Sequence, residues 1–298
     1  MGKDPKPAPI RVSVVIPTYN RAADLRRALD SVSLQTVPIA EIIVVDDGST
    51  DNTRDVVSQF GRGIVYLHQD NAGVAAARNR GIGAATGEWI AFLDSDDWWM
   101  PEKIQLQIEA LQRKKGAALA YTSAWIISND GTREIAQAAE PAQLWPAMRH
   151  SNMITSTSCV MVRREALVAE GSFNESLAVG EDWDLWIRLA QKYPFAVVSE
   201  PVTAYMITPN SLSQDPERTI ADTERMLEGR LLCGLQGSAR LIWRRRIRAA
   251  QIFRAAMNAR GVDRAFELRL LLRSLAQWPS PFFFFRRWKA LAHCLLGR

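Results

Sequence analysis

The chain has 298 residues, 47% hydrophobic and 23% charged. That is enough apolar material for one large domain with an extension, or for two domains, and it excludes global disorder. The net charge of +5 hides an asymmetry: residues 237–298 hold 14 Lys and Arg against 2 Asp and Glu, a net +12, while the preceding residues carry −7. Cys159, Cys233 and Cys294 are too dispersed for a disulfide framework and suggest a reducing, cytoplasmic setting. The histidines are too scattered for a zinc site. Residues 1–10 form a polar, proline-rich tail without the apolar stretch of a secretory signal. No apolar run approaches the roughly 18–20 residues that span a bilayer.

In chain order, VSVVI (12–16) is a β-branched run that enters the loop Pro17-Thr18-Tyr19-Asn20. Residues 22–34 carry Leu25, Ala28, Leu29 and Val32 at helical spacing. EIIVV (41–45) is apolar on both faces, as a buried parallel strand is, and stops at Asp46-Asp47-Gly48-Ser49. Ser49 or Asp51 can cap a helix near 53–60. IVYLH (64–68) reads as a strand, 72–84 as an alanine-rich helix, and WIAFL (89–93) as a strand ending at Asp94. A helix follows Pro101, and LAYTSAWII (119–127) is a further strand. Beyond 150, 158–162 and 196–207 read as strands, 182–192 as a helix, and 217–276 as helical throughout.

Strands alternating with helices predict an α/β domain with a mostly parallel sheet, whose ligands gather at the carboxyl ends of its strands. Three loops fall there: 17–21, 46–51 and 94–99. Asp94, Asp96 and Asp97 repel one another unless a cation sits among them, and Mg²⁺ or Mn²⁺ is the hard ion that carboxylates share with phosphate oxygens. Asp46 and Asp47 have two readings, as turn and helix caps or as acceptors for a base or ribose. Tyr19 offers an aromatic face and Pro17 a rigid wall. Glu181-Asp182 open a helix, either as acids favoured at its positive end or as a general base. GxxxxGK[ST], GxGxxG and GxSxG motifs are absent.

Together, VSVVIPTYNR (12–21), EIIVVDDGSTDNT (41–53), NAGVAAARNRGIGAATGEWIAFLDSDDWWMP (71–101) and GSFNESLAVGEDWDLWIRLA (171–190) resemble the family 2 glycosyltransferases of GT-A fold, in the family's order. The resemblance covers roughly residues 11–210. It implies a metal-dependent, hexosyltransferase-like enzyme that moves one sugar, with inversion, from a nucleoside-diphosphate sugar, a UDP-sugar foremost. The acceptor would be a hydroxyl of a glycan or lipid-linked molecule, as in cell-surface polysaccharide assembly. The alternative is a non-catalytic GT-A module that binds nucleotide or glycan. Carried over by position, Pro17, Thr18 and Tyr19 line the nucleoside pocket, Asp47 binds the base, and Arg78 lies near the nucleotide. Asp94 faces the ribose or the metal, Asp96 ligates the Mn²⁺ or Mg²⁺ ion, and Asp97 is a further metal ligand. Asp182 is the base and Glu181 supports the acceptor side. The expected organisation is a tail at 1–10, a GT-A domain at 11–215 and a helical basic extension at 216–298.

Two departures stand out. Met206 and Thr208 occupy positions where many relatives carry Arg and His, and the QxxRW motif of processive relatives is absent. The basic end has its own pattern. In a helix over 282–298, Phe284, Trp288, Leu291 and Leu295 share one face, with Arg286, Lys289 and His293 opposite. Such a helix either lies on the inner face of a membrane or packs on the body. A nucleic-acid partner is not expected, because the body is acidic and no such motif is present.

Overall fold

The computed structural model describes residues 10–61, 63–141, 147–208, 215–260, 263–279 and 285–296. The expected tail, apart from Ile10, lies outside the described residues, as do Phe282–Phe284 and the Ser211–Ser213 stretch that follows Thr208. The chain forms two compact units. The first takes the described residues up to Pro141, Ile154–Phe173 and Lys192–Ile207. The second takes those of Ala142–Met153, Asn174–Gln191 and Thr208–Arg298.

The first unit is built on a nine-stranded sheet of order β3-β2-β1-β4-β8-β6-β9-β5, with β7 paired to β6. Its strands are β1 (Val12–Thr18), β2 (Glu41–Asp46), β3 (Ile64–His68), β4 (Trp89–Phe92), β5 (Trp98–Trp99), β6 (Leu119–Ile127), β7 (Arg133–Ala136), β8 (Val160–Arg163) and β9 (Phe195–Met206). The stretch β3-β2-β1-β4 is parallel throughout. Beyond it the pairing is mixed: β4–β8 and β8–β6 are antiparallel, and β6–β9 is parallel. Helices α1 (Ala22–Ser33), α2 (Thr53–Gln59), α3 (Val74–Ala84), α4 (Lys103–Arg113) and α5 (Arg164–Ala169) accompany this sheet.

Every residue of β1 is buried, as is expected of a strand flanked by neighbours and helices. Leu25, Ala28, Leu29 and Val32 of α1 join β1, Val44 and Ala91 in one apolar core. Helix α3 lies so close to the sheet that a Cβ on Gly81 would meet Val15 Cγ1 at 2.4 Å. Only glycine fits that contact.

The second unit is helical: α6 (Glu181–Ala190), α7 (Pro216–Met226), a π turn over Leu227–Leu231, α8 (Gly237–Ala259), α9 (Arg264–Gln277) and α10 (Phe285–Leu296). Ile252, Ala255 and Ala256 of α8, Leu270 and Leu271 of α9, and Ala290 and Cys294 of α10 make its core.

Candidate active site

The parallel register places Thr18, Asp46 and Leu93 at the same ends of β1, β2 and β4. The three strand-end loops therefore start side by side. The first two are stitched together. Asn20, with φ of 52°, accepts from Thr50 N at 2.8 Å, and Asn20 N donates to Ser49 Oγ at 2.9 Å. Asp51 accepts from Ala22 N at 3.0 Å and from Thr53 N at 3.1 Å, so one carboxylate serves the starts of both α1 and α2. Neither expected cap holds the N-cap position of α2, which is Asn52; Asp51 bonds Thr53 N from one residue further back, and Ser49 serves the neighbouring loop.

Pro17 and Thr18 are buried, whereas Tyr19 is 48% exposed and presents its ring. The buried Thr18 Oγ1 has no hydrogen-bond partner, an uncommon state for a polar atom in this position. Asp46 and Asp47 are both buried, with inward duties. Asp46 accepts from Ser49 N at 2.8 Å and from the Tyr66 hydroxyl. Burial pushes its pKa up, but the donors Ser49, Tyr66 and His68 outweigh burial and hold it below the usual value. Asp47 accepts from Gln69 Nε2 at 2.7 Å, Ala72 N at 2.9 Å and Gly73 N at 2.8 Å, fastening the segment that leads into α3. Gly48 between these loops has φ of 86°, and a Cβ there would meet Asn71 N at 2.9 Å.

The acidic run is a tight turn closed by Asp97 N donating to Asp94 O at 3.0 Å. Its three carboxylates differ sharply. Asp94, 26% exposed at its side chain, pairs with the buried Arg78 guanidinium at 2.6 Å. Arg78 in turn lies over the Phe173 ring at 5.3 Å. Asp96 is partly open, with Arg21 Nη2 at 3.8 Å, while its carbonyl accepts from Arg27 at 2.8 Å. Asp97 is fully buried. It accepts from Ser158 Oγ at 2.6 Å, Ser156 Oγ at 3.1 Å and Met206 N at 2.9 Å. Burial, followed by the charges of Asp94 and Asp96, raises its pKa well above the ordinary range despite those donors. The three acids that read alike in sequence are thus two outward carboxylates and one inward one.

Met206 serves this turn through its backbone N–H, and its own side chain is an uncharged thioether. Cations at the turn in this unit include Arg21 and Arg78 on the carboxylates and Arg27 on the Asp96 carbonyl. Ser156 and Ser158 escaped the sequence reading, because isolated serines carry no pattern. Phe173 carried a weak signal through its place in the 171–190 motif.

In the second unit, Glu181 is buried and Asp182 half-buried at the start of α6. Asp182 accepts from Asn152 Nδ2 at 2.7 Å. Asp222 accepts from Ala178 N at 2.9 Å and Val179 N at 2.8 Å, fixing the approach to the helix. Asp184 pairs with Arg188 at 2.8 Å and Arg230 at 2.9 Å. Its role is therefore within the unit's own framework.

Among the described residues, no cluster of three or more His, Cys, Asp or Glu is preformed for a metal. The donor set nevertheless fits Mg²⁺ or Mn²⁺. Such ions are commonly held by one or two carboxylates and completed by phosphate oxygens, and Asp96 and Asp94 are partly open.

A parallel stretch of sheet with Pro-Thr-Tyr, Asp-Asp and Asp-Ser-Asp-Asp at its carboxyl ends is the architecture of the GT-A class. The chain belongs to glycosyl transferase family 2, whose family model matches residues 13–169. It is 32% identical over 211 residues to the putative teichuronic acid biosynthesis glycosyltransferase TuaG of Bacillus subtilis, covering 68% of this chain and 82% of that protein. An uncharacterized glycosyltransferase of Rickettsia felis is 33% identical over 202 residues, 66% of this chain and 33% of that protein. The chain thus spans about a third of that relative's length. Among solved structures, the S. aureus TarS 1–349 complex with UDP-GlcNAc shares the fold, with a TM-score of 0.65 and 17% identity over 90% of this chain and 81% of that one. The UDP complex of the same protein has a TM-score of 0.62 at 18% identity, covering 97% and 92%.

Proposed function

We propose that this chain is an inverting glycosyltransferase that moves a single sugar from a UDP-sugar to a hydroxyl of a glycan or lipid-linked acceptor. The observation that carries this reading is the split within the acidic turn: Asp97 is locked inward by Ser156, Ser158 and Met206, leaving Asp96 and Asp94 outward at the strand ends. The similarity in fold to TarS, whose structures include UDP-GlcNAc and UDP, supports the choice of nucleotide.

On this reading Tyr19 and Pro17 flank the uracil, and the unpartnered Thr18 hydroxyl supplies a hydrogen bond to the nucleoside. Asp47 acts on the base indirectly, through the 69–73 segment that it fastens. Arg78 holds Asp94 toward the ribose. Asp96, assisted by Asp94, would hold a Mn²⁺ or Mg²⁺ ion, and Asp97 shapes the turn rather than ligating. Such an ion, held there, would supply positive charge against the negative charge of the departing diphosphate. Asp182 takes the proton of the acceptor hydroxyl, oriented by Asn152, with Glu181 supporting the acceptor side. The acceptor oxygen then bonds to the anomeric carbon as the bond to the diphosphate breaks on the opposite face. One base suffices for this displacement, and the configuration inverts.

The test is nucleotide release from a panel of UDP-, GDP- and dTDP-sugars with Mn²⁺ or Mg²⁺. UDP-sugar turnover that needs the ion and is lost in Asp182→Asn is the expected result. Ion-dependent UDP binding without turnover on any acceptor would favour a non-catalytic module. No response to any nucleotide would overturn the reading.

A further inference from the structure

The second unit gathers two basic, aromatic stretches that are about forty residues apart in sequence: Trp243-Arg244-Arg245-Arg246 on α8, and Arg286-Arg287-Trp288-Lys289 on α10. They meet at the carboxyl end of α9. Arg245 Nε donates to Gln277 O at 2.8 Å, and Arg287 donates to Ser274 O at 3.0 Å and Trp278 O at 2.6 Å. Arg246 stacks over the Trp243 and Trp278 rings, at 5.0 Å and 6.0 Å from their centroids. Helix dipoles favour cations at this end, which explains the placement of the buried Arg287.

The outer surface of α10 has a different character. Its inner face is Arg287, Ala290 and Cys294. Trp288, Ala292 and Leu295 form an exposed apolar stripe, with Trp288 41% and Leu295 58% exposed. Arg286 and Lys289 are exposed beside it. Packing and surface binding are therefore compatible for this helix, because they use separate faces.

On α8, Arg240 and Arg244 pair with Glu228, and Arg248 pairs with Glu224. Arg245 faces carbonyls instead, so its charge is not cancelled in those contacts. Residues 237–298 contain two acids. Of these, Asp263 caps α9 by accepting from Phe266 N at 2.9 Å, and Glu267 is buried. A second copy of the same surface would be repelled by its like charge. Among the described residues no helix is long and apolar enough to cross a membrane.

We propose that this face, formed by the outer side of α10 and the exposed Arg245 at the end of α9, docks the protein on an anionic lipid bilayer surface. Trp288 and Leu295 enter the interfacial layer, where tryptophan is favoured, while Arg286 and Lys289 meet lipid phosphates. Lipid binding in this form does not depend on the transferase reading and is measured without a sugar donor.

The test is co-sedimentation of the full chain with neutral phosphatidylcholine vesicles and with vesicles containing about 30% phosphatidylglycerol. Binding should favour the anionic vesicles and fall between about 0.1 M and about 0.5 M salt. Arg286→Ala with Lys289→Ala should lower the partition coefficient about fivefold per charge. Trp288→Ala should lower it further. These side chains are exposed, and circular dichroism should match the parent. Equal binding to both vesicle types, no binding, or full binding by the double variant overturns the proposal. Capture by soluble polyphosphate without vesicle binding also overturns it, in favour of a soluble polyanion.

Discussion

Ser158 Oγ lies 2.6 Å from the Asp97 carboxylate while it accepts Asp94 N at 2.9 Å. One hydroxyl therefore fixes both ends of the acidic turn. Ser158→Ala should destabilise the protein by about 1–3 kcal/mol, because it strands a buried acceptor and removes a backbone partner. Urea denaturation measures this. The same substitution should weaken metal-dependent UDP binding, although Ser158 is not placed on the ligand; unchanged UDP affinity would exclude that coupling.

Asp96 and Asp97 should part company when each is replaced by Asn. Asp96→Asn should abolish the gain in UDP affinity on adding Mn²⁺, measured by titration calorimetry. Asp97→Asn should keep most of that gain, since its partners are two hydroxyls and a backbone N–H, and the hydroxyls can rotate to meet an amide. Loss of the gain in Asp97→Asn alone would reverse the assignment.

Lys103 provides a pH test away from the turn. Its ammonium is fully buried 3.8 Å from the Trp99 ring centroid, and burial lowers its pKa to about 7. The nearby Cys159 thiol is pushed up to about 11 by burial, so it offers no charge to pair with Lys103 at neutral pH. An unfolded lysine titrates near 10.4. Between about pH 7 and 10 the unfolded chain therefore binds more protons than the folded one, and stability rises with pH. Lys103→Met should be more stable than the parent at pH 7 and below, on the order of 2–4 kcal/mol after allowing for the lost cation–π contact. The gap should close by about pH 10. A gap independent of pH would show that the ammonium is stabilised in place.

Asp182→Asn should leave donor binding intact and remove transfer. Asn152→Ala is the finer probe. Losing the donor to Asp182 Oδ2 favours the protonated acid, so the acid limb of the kcat profile should move to higher pH. A lower kcat with an unmoved limb would assign Asn152 a purely structural part.

Much of the frame was legible because periodicity records burial. EIIVV and IVYLH announced β2 and β3, and the alanine-rich stretch announced α3. Strand β5 was not legible, since Trp98–Trp99 becomes a strand only by pairing with Ala204 and Thr203. Strand β7 is four largely exposed residues whose pattern does not differ from a loop. At the site, the motifs located the loops but not the direction of each side chain. Asp97 is turned inward by partners 61 and 109 residues away, and such long-range contacts leave no local mark.

The shared seating of Arg245 and Arg287 on the last carbonyls of α9 has a practical consequence for dissecting the chain. Removing residues after 279 would delete the guanidinium that bonds Ser274 O and Trp278 O, and would strip Ala290 and Cys294 from the helical core. A shortened protein that fails to sediment with vesicles would therefore confound lost lipid contact with a frayed helix. Only substitutions on the outer stripe of α10 keep the two effects apart.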